Sequence, residues 1–318
     1  MIPLGDDAEI RLAMLGMVEG NGHPYSWSAI FNGYGATEIA HCPYAAIPAY
    51  LNAQPPETLG IPRAHVTHIW TDDPQDASRV AKAALIPHVV EHGEDVIGHV
   101  DAVLIATDKG DEHVARCRPF VEAGIPVFVD KPLVDNQSDL QIFNRWVQCG
   151  AAILSSSCMR YSREYSAFRN GTSNLGELRF ASITTPKSWE RYGIHVLEGI
   201  YPILGPGFLS ARNSGSVGRD IVHFQHQSGA DIIAVARQDM LGAFGVLTLC
   251  GTTGHAHAAF SNTFFAFKSQ LEALIEYLRS GVRPFAWSKT VELMKMVIAG
   301  IRSRKEGGRE VMLSEIHE

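Results

Sequence analysis

Residues 100–133, VDAVLIATDKGDEHVARCRPFVEAGIPVFVDKPL, decide the fold class. Val100–Thr107 is nearly continuous apolar sequence, the pattern of a strand covered on both faces. Asp111–Ala123 then carries Val114, Cys117 and Val121 on one side, a helical spacing, and Gly124 ends it. Ile125–Val129 is apolar again. Strand, helix and strand at this spacing imply a right-handed crossover and a parallel sheet.

The alternation extends in both directions. Ile10–Gly16, Ala64–Trp70 and Ala151–Ser155 read as strands, and Ala77–Ala84 and Asp139–Cys149 as helices. Past residue 155 the pattern changes. Glu177–Thr184, Gly218–Gln225, Asp231–Arg237 and Gly242–Cys250 read as strands, some nearly consecutive, which suggests an antiparallel or mixed sheet. Two amphipathic helices close the chain, one with Phe267, Leu271, Leu274, Ile275 and Leu278 in register, the other with Val291, Met294, Ile298 and Ile301. Ser280-Gly281-Val282-Arg283-Pro284 breaks the run between them. The expected fold class is α/β, with a dinucleotide-binding domain over 1–156 and an α/β domain with an open, mostly antiparallel or mixed sheet over 157–318. Residues 33–63 hold five prolines and are too broken for one long helix. They are expected to form an ordered insertion on the sheet edge, as a surface loop, a lid or a subunit contact.

Composition narrows the function. The 318 residues are 46% hydrophobic and 19% charged, ordinary for a globular chain, and the net charge of −7 disfavours a basic nucleic-acid binder or a polybasic membrane-surface protein. The five cysteines have no Cys-x-x-Cys spacing, so neither a disulfide framework nor a zinc ribbon is indicated. No Lys/Arg-led signal segment opens the chain and no apolar run reaches the ~20 residues of a membrane span. A soluble, cytoplasmic protein is expected.

Gly16-Met17-Val18-Glu19-Gly20-Asn21-Gly22-His23-Pro24 follows the first strand and precedes a helix, where a dinucleotide fold sets its phosphate turn. The spacing is G-x-x-x-G-x-G rather than G-x-G-x-x-G, and a plain strand-to-helix loop would also read this way. Gly16, Gly20, Asn21, Gly22 and His23 are the candidates for holding a diphosphate. Asp72, at the end of the second strand, is the candidate for the adenosine ribose hydroxyls, with Thr71 or Asp73 as substitutes and a helix-capping role as the plainer reading. It lies 50 residues past Gly22 rather than the usual ~20, and the insertion accounts for the excess. A carboxylate there repels a 2′-phosphate, which favours NAD over NADP mildly.

Val127–Leu133 brings Lys131 to the carboxyl end of a strand, with Asp130 before it and Pro132 after it. Ligands in open α/β sheets bind at such ends. This strand-Asp-Lys-Pro segment resembles the Glu-Lys-Pro motif of the glucose–fructose oxidoreductase/inositol dehydrogenase/rhizopine-catabolism (Gfo/Idh/MocA) family. Ala106-Thr107 with His113, and Phe120–Val127, are similar to that family's fourth strand and following helix. Arg279–Pro284 with Trp287 and a long helix resembles its closing segment. The resemblance implies a Rossmann domain that holds NAD or NADP, with Thr107, His113, Asp130 and Pro132 added to its cofactor-side residues, and a second domain that covers the substrate and builds a homo-oligomer, a dimer or tetramer. The bond before Pro132 is often cis in such proteins.

The family's D-x-x-x-H pair falls on Arg191 and His195. Lys131 and His195 are thus the expected catalytic residues, and Arg160, Tyr161, Trp189, Arg191 and Tyr192 join them as expected substrate contacts. Arg191 replaces the aspartate; an arginine opposes protonation of the histidine and favours an anionic ligand, and Glu190 or Glu198 are the alternatives as its partner. The implied reaction passes a hydride between a nicotinamide and a secondary alcohol of a sugar, cyclitol or sugar acid, with His195 or Lys131 taking the hydroxyl proton. Two other readings stay open: a silent NAD- and sugar-binding regulator, and a redox-neutral enzyme with tightly held NAD. No metal is expected, since His255 and His257 share a strand face but lack a third ligand. His223 and His226 are taken as structural or solvent-facing. No G-x-S-x-G elbow, Walker loop or zinc-protease helix occurs.

Overall fold

A computed structural model describes residues 3–169, 171 and 173–318. The first half builds a six-stranded sheet from β1 (Ile10–Leu15), β2 (Ala64–Trp70), β3 (His88–Val89), β4 (Ala102–Ile105), β5 (Val127–Val129) and β6 (Ile153–Ser155). Its order is β3-β2-β1-β4-β5-β6, and every pairing is parallel. Every residue of β4 and of β5 is buried, as their unbroken apolar sequence requires. The strand order reverses between β1 and β4, which opens a crevice beyond their carboxyl ends. This is the expected Rossmann arrangement.

Helices α1 (His23–Asn32), α2 (Ala36–Ile39), α3 (Ala46–Asn52), α4 (Pro74–Ala83), α5 (His113–Glu122) and α6 (Gln137–Gln148) accompany this sheet. The prolines of residues 33–63 leave two short helices and a 3₁₀ turn at Pro56–Thr58. This insertion is clamped onto helices. Tyr50 bonds Ser26 of α1, and Lys268, far along the chain, donates to the Thr58 carbonyl.

The second half holds α7 (Ser166–Arg169), β7 (Leu178–Pro186), α8 (Trp189–Leu204), β8 (Phe208–Asn213), β9 (Arg219–His226), β10 (Asp231–Arg237), β11 (Val246–Gly251), β12 (His255–Ala259), α9 (Thr263–Ser280), α10 (Trp287–Lys305) and β13 (Val311–Met312). The sheet order is β12-β11-β7-β10-β9-β8-β13, mixed because β7 and β10 run parallel while the other pairs are antiparallel. In β9 and β10 every second side chain is buried. One sheet face therefore packs against α8 and α10, and the other carries the exposed Phe180, Leu209, Ile221 and Val246.

Helix α9 crosses back. Its Phe264, Phe267, Leu271, Leu274, Ile275 and Leu278 share one apolar core with β1, β2, α1 and the insertion. A second core runs without a break from Val103 and Phe143 of the first half to Ile232 and Val297 of the second. A cut at residue 156 therefore divides both cores. Among the described residues no helix is long and apolar enough to cross a membrane.

Candidate active site

Gly16 and Gly20 take left-handed backbone (φ +84° and +81°), and Gly22 lies one residue before α1. A Cβ on Gly16 would stand 2.7 Å from Thr107 Cγ2, and one on Gly22 would stand 2.5 Å from Tyr44 Cδ2. Glycine is thus required where the backbone turns and where the insertion closes on the helix start. Thr107, fully buried behind this turn, has a hydroxyl without a hydrogen-bond partner. A cavity of about 290 Å³ opens beside it at the ends of β1, β2 and β4, walled by Leu15, Trp70, Gly93, Ile105, Arg116 and Phe120. Asp72 stands next to that wall. Its Oδ1 accepts from Arg116 (2.9 Å) and its Oδ2 from the Met17 amide (3.4 Å). Asp73 instead caps α4 by accepting from the Gln75 amide. The orphaned hydroxyl, the glycine cradle and the cavity fit a dinucleotide.

At the end of β5 the residues are committed to one another. Asp130, wholly buried, accepts from Asn21 Nδ2 (2.8 Å) and the Lys131 amide (2.7 Å), and its Oδ2 is 2.6 Å from His23 Nδ1. Burial works against its charge, but His23 and Lys131 hold the carboxyl well below the usual carboxylate range. The Lys131–Pro132 bond is cis. The Lys131 ammonium, 2% exposed, lies 3.4 Å from Asp108 Oδ2 and 3.9 Å from Asp130 Oδ2. Burial alone would lower its pKa; the two carboxylates outweigh it and raise it above the ordinary lysine value. Lys131 is therefore a fixed cation and hydrogen-bond donor, not a base.

Asp108 was not singled out from sequence, although it follows the apolar strand β4 as Lys131 follows β5. It is fully buried and joins the two halves, because its Oδ1 accepts from Arg191 Nη2 (2.5 Å). Arg191 lies in the first turn of α8 and also donates to the Glu19 carbonyl (3.1 Å). Lys187, just before α8, donates to the Gly20 carbonyl (3.1 Å) and to the Tyr192 hydroxyl (2.7 Å). The Tyr192 ring lies 5.1 Å from Lys131 Nζ and 4.8 Å from the His195 ring.

His195, 4% exposed, sits one turn past Arg191. Its Nδ1 is 2.6 Å from Ser157 Oγ, and that oxygen accepts from the Met159 amide (3.1 Å). Burial first, then the Lys131 charge, push the imidazole well below its usual pKa, so it is neutral at physiological pH. Neither glutamate proposed as its partner reaches it. Glu190 pairs with Arg304 and Glu198 with Arg160. Ser157 is a long-range partner that no local spacing marks.

Other expected site residues lie elsewhere. Trp189 is wholly buried and donates Nε1–H to the Val297 carbonyl (3.0 Å), so it packs α8 on α10 and has no face for substrate. Arg160 pairs with Glu198 and covers the Phe285 ring at 4.1 Å, a junction contact. Tyr161 is half-buried beside Arg160 with its hydroxyl enclosed, and that burial pushes the hydroxyl up to about 12. His113 is also corrected as a cofactor contact, because both ring nitrogens face backbone carbonyls, Leu133 (2.9 Å) and Thr107 (2.8 Å). It braces the two loops that carry Asp108 and Lys131. His223 bonds Asp231 on the exposed sheet face, and His226 is buried. His255 and His257 do share a face, and among the described residues no group of three or more metal-ligating side chains converges.

Comparison with curated protein sequences returns no match. Among solved structures, the chain is similar to a probable dehydrogenase from Thermotoga maritima (TM-score 0.75, 15% identity, 97% of this chain and 100% of that one). It is similar to an oxidoreductase from Agrobacterium radiobacter crystallised with NAD+, L-tartaric acid and magnesium (0.73, 16%, 98% and 100%). It is also similar to a myo-inositol dehydrogenase from Corynebacterium glutamicum (0.71, 17%, 96% and 98%). At these identities the likeness is one of fold. Residues 43–149, which include Asp72, Asp108 and Lys131, match the model of the Gfo/Idh/MocA oxidoreductase family, described as an oxidoreductase family with an NAD-binding Rossmann fold.

Proposed function

We propose that the chain is a dehydrogenase that uses NAD, with NADP as the less favoured nucleotide, to oxidise a secondary alcohol of a sugar, cyclitol or sugar acid. One observation carries the reading. A protonated lysine from the first half and a neutral histidine from the second are buried on the same tyrosine ring, at the carboxyl end of a parallel sheet.

When bound, the nicotinamide ring supplies the acceptor for the hydride that leaves the alcohol carbon. The chain's own residues do the rest. Lys131 donates a hydrogen bond to the alcohol oxygen and stabilises its developing negative charge, with no reorganisation because Asp108 and Asp130 already fix the ammonium. His195, with Nδ1–H directed at Ser157 Oγ, accepts the hydroxyl proton at Nε2. Tyr192 and Phe244, whose rings lie 4.8 and 5.0 Å from the imidazole, keep water from the proton being moved. Gly16, Gly20 and Gly22 with Thr107 hold the diphosphate side, and Asp72 the ribose. Asn21, His23, Asp130 and Pro132 set the position of Lys131. Ser157 gives the histidine the partner that Arg191 denies it, which favours turnover over a silent regulator.

The reading also includes a cytoplasmic setting, supported by five free cysteines, and a dimer or tetramer built on the open sheet face. Binding of NAD+ and NADH by calorimetry, followed by the nicotinamide absorbance band with a polyol and sugar-acid panel, tests it. Lys131→Met and His195→Asn should each lower kcat ~100-fold or more with NAD+ affinity unchanged. A protein that binds no pyridine dinucleotide overturns the proposal, and product formed without net NADH supports the redox-neutral form instead.

A further inference from the structure

Three cationic side chains meet at the mouth of the site: Lys131, Lys187 and Arg191. Two buried carboxylates answer them, Asp108 and Asp130. Asp130 is spent on Asn21, His23 and the Lys131 backbone. Asp108 is shared between Lys131 and Arg191. Among the described residues no carboxylate pairs with Lys187; its ammonium rests on the Gly20 carbonyl and the Tyr192 hydroxyl. It is held there by left-handed backbone (φ +63°), a conformation that costs a non-glycine residue energy and that functional positions retain. Arg191 Nε is buried with no hydrogen-bond partner. Three cationic side chains thus face two carboxylates, and one buried guanidinium donor is left unmet.

From this we infer that Lys187 and Arg191 form an anion subsite for a carboxylate carried by the substrate, so that the alcohol oxidised is that of a hydroxy acid of the sugar-acid type. The inference rests on the proposed dehydrogenase reading. Tyr192 links the two ends of such a substrate: its ring is 4.4 Å from Lys187 Nζ and 5.1 Å from Lys131 Nζ. A short chain with its carboxylate on Lys187 and Arg191 can present a hydroxyl to Lys131 and His195. Arg191 keeps Asp108 through Nη2 and still has donors for the acid, since a guanidinium carries five N–H groups. A neutral polyol would leave the excess charge unanswered. The cofactor diphosphate is the other anion that could reach the Gly20 turn, and the test separates the two.

Protein loaded with NADH is titrated with matched pairs, D-gluconate against D-glucitol, D-glucuronate against D-glucose, and glycolate against ethylene glycol. At least one acid should bind tenfold or more tightly than its neutral partner. Arg191→Gln and Lys187→Asn, the latter suited to left-handed backbone, should each weaken that acid about tenfold or more while the Kd for NADH stays within about twofold. Equal binding of every acid and its neutral match overturns the inference and leaves the dehydrogenase reading standing. A tenfold loss of NADH affinity in both variants, with acid binding unchanged, also overturns it and assigns the two cations to the diphosphate. Failure of the wild-type protein to bind NADH sinks the parent reading and this inference with it.

Discussion

At the scale of single residues the site divides its charges. Lys131 is kept protonated by two carboxylates, and His195 is kept neutral by burial and by nearby cations. These shifts set a pH dependence. His195 acts as a base only when neutral, and its pKa lies well below the ordinary 6.5, so the acid limb of kcat/KM should fall below that value. Lys131 loses its proton only above the ordinary 10.5, so the profile should be flat across the neutral and mildly alkaline range. Asp108→Asn removes one of the charges that raise Lys131; the alkaline limb should then move to lower pH, read from initial rates against pH. Ser157→Ala frees the His195 ring. Deleting a general base costs ~10²–10⁴ in rate, and loss of its orientation should cost part of that, roughly tenfold in kcat with little change in KM, with recovery in Ser157→Thr. An unchanged kcat in Ser157→Ala would show that the serine does not position the base. Asp108 was as legible as Lys131, since both follow an apolar strand. Ser157 was not, because its link to His195 spans 38 positions and depends on how the halves dock.

At the scale of elements, the strands with clean apolar runs could be read from sequence almost residue for residue: β2 spans Ala64–Trp70 and β10 spans Asp231–Arg237, as the pattern indicates. Helix α8 was not read as one. Gly193, Gly199 and Pro202 interrupt its sequence, and tertiary packing overrides these weak propensities. Gly193 and Gly300 are there because the Trp189 ring lies against both: a Cβ would stand 2.7 Å from ring carbons at the first and 2.6 Å from Nε1 at the second. Strand β12, HAHAA, lies at a sheet edge with three of its five side chains exposed, so its alternation shows in the paired histidines rather than in a hydrophobic run. Gly300→Ala should overpack the α8–α10 contact and destabilise the protein by about 1–3 kcal/mol, measured by urea unfolding. Gly22→Ala drives a methyl into Tyr44 and Ile47. It should weaken NAD+ binding more than it lowers Tm, because the displaced segment covers the start of α1.

At the scale of the whole molecule, the two halves share their cores. Helix α9 is late in the chain but completes the core of the first sheet, and the other core passes without a break into the second half. Unfolding should therefore be one cooperative transition rather than two. A fragment of residues 1–156 lacks α9 and leaves Ile30, Phe31 and Leu51 without part of their cover. It should show no cooperative thermal transition by circular dichroism, whereas two independent domains would leave it a melt of its own. The alternating pattern along the chain reveals two sheets but is silent about which sheet a late helix returns to.

The near-complete enclosure of Lys131 makes it a reporter of breathing between the halves. Amine-reactive acylating reagents modify free amines on accessible side chains, and this ammonium is both shielded and reluctant to lose its proton. Mass spectrometry after brief acylation should find the exposed lysines modified and Lys131 spared. The slow appearance of label at that one position would then time how often the molecule gapes.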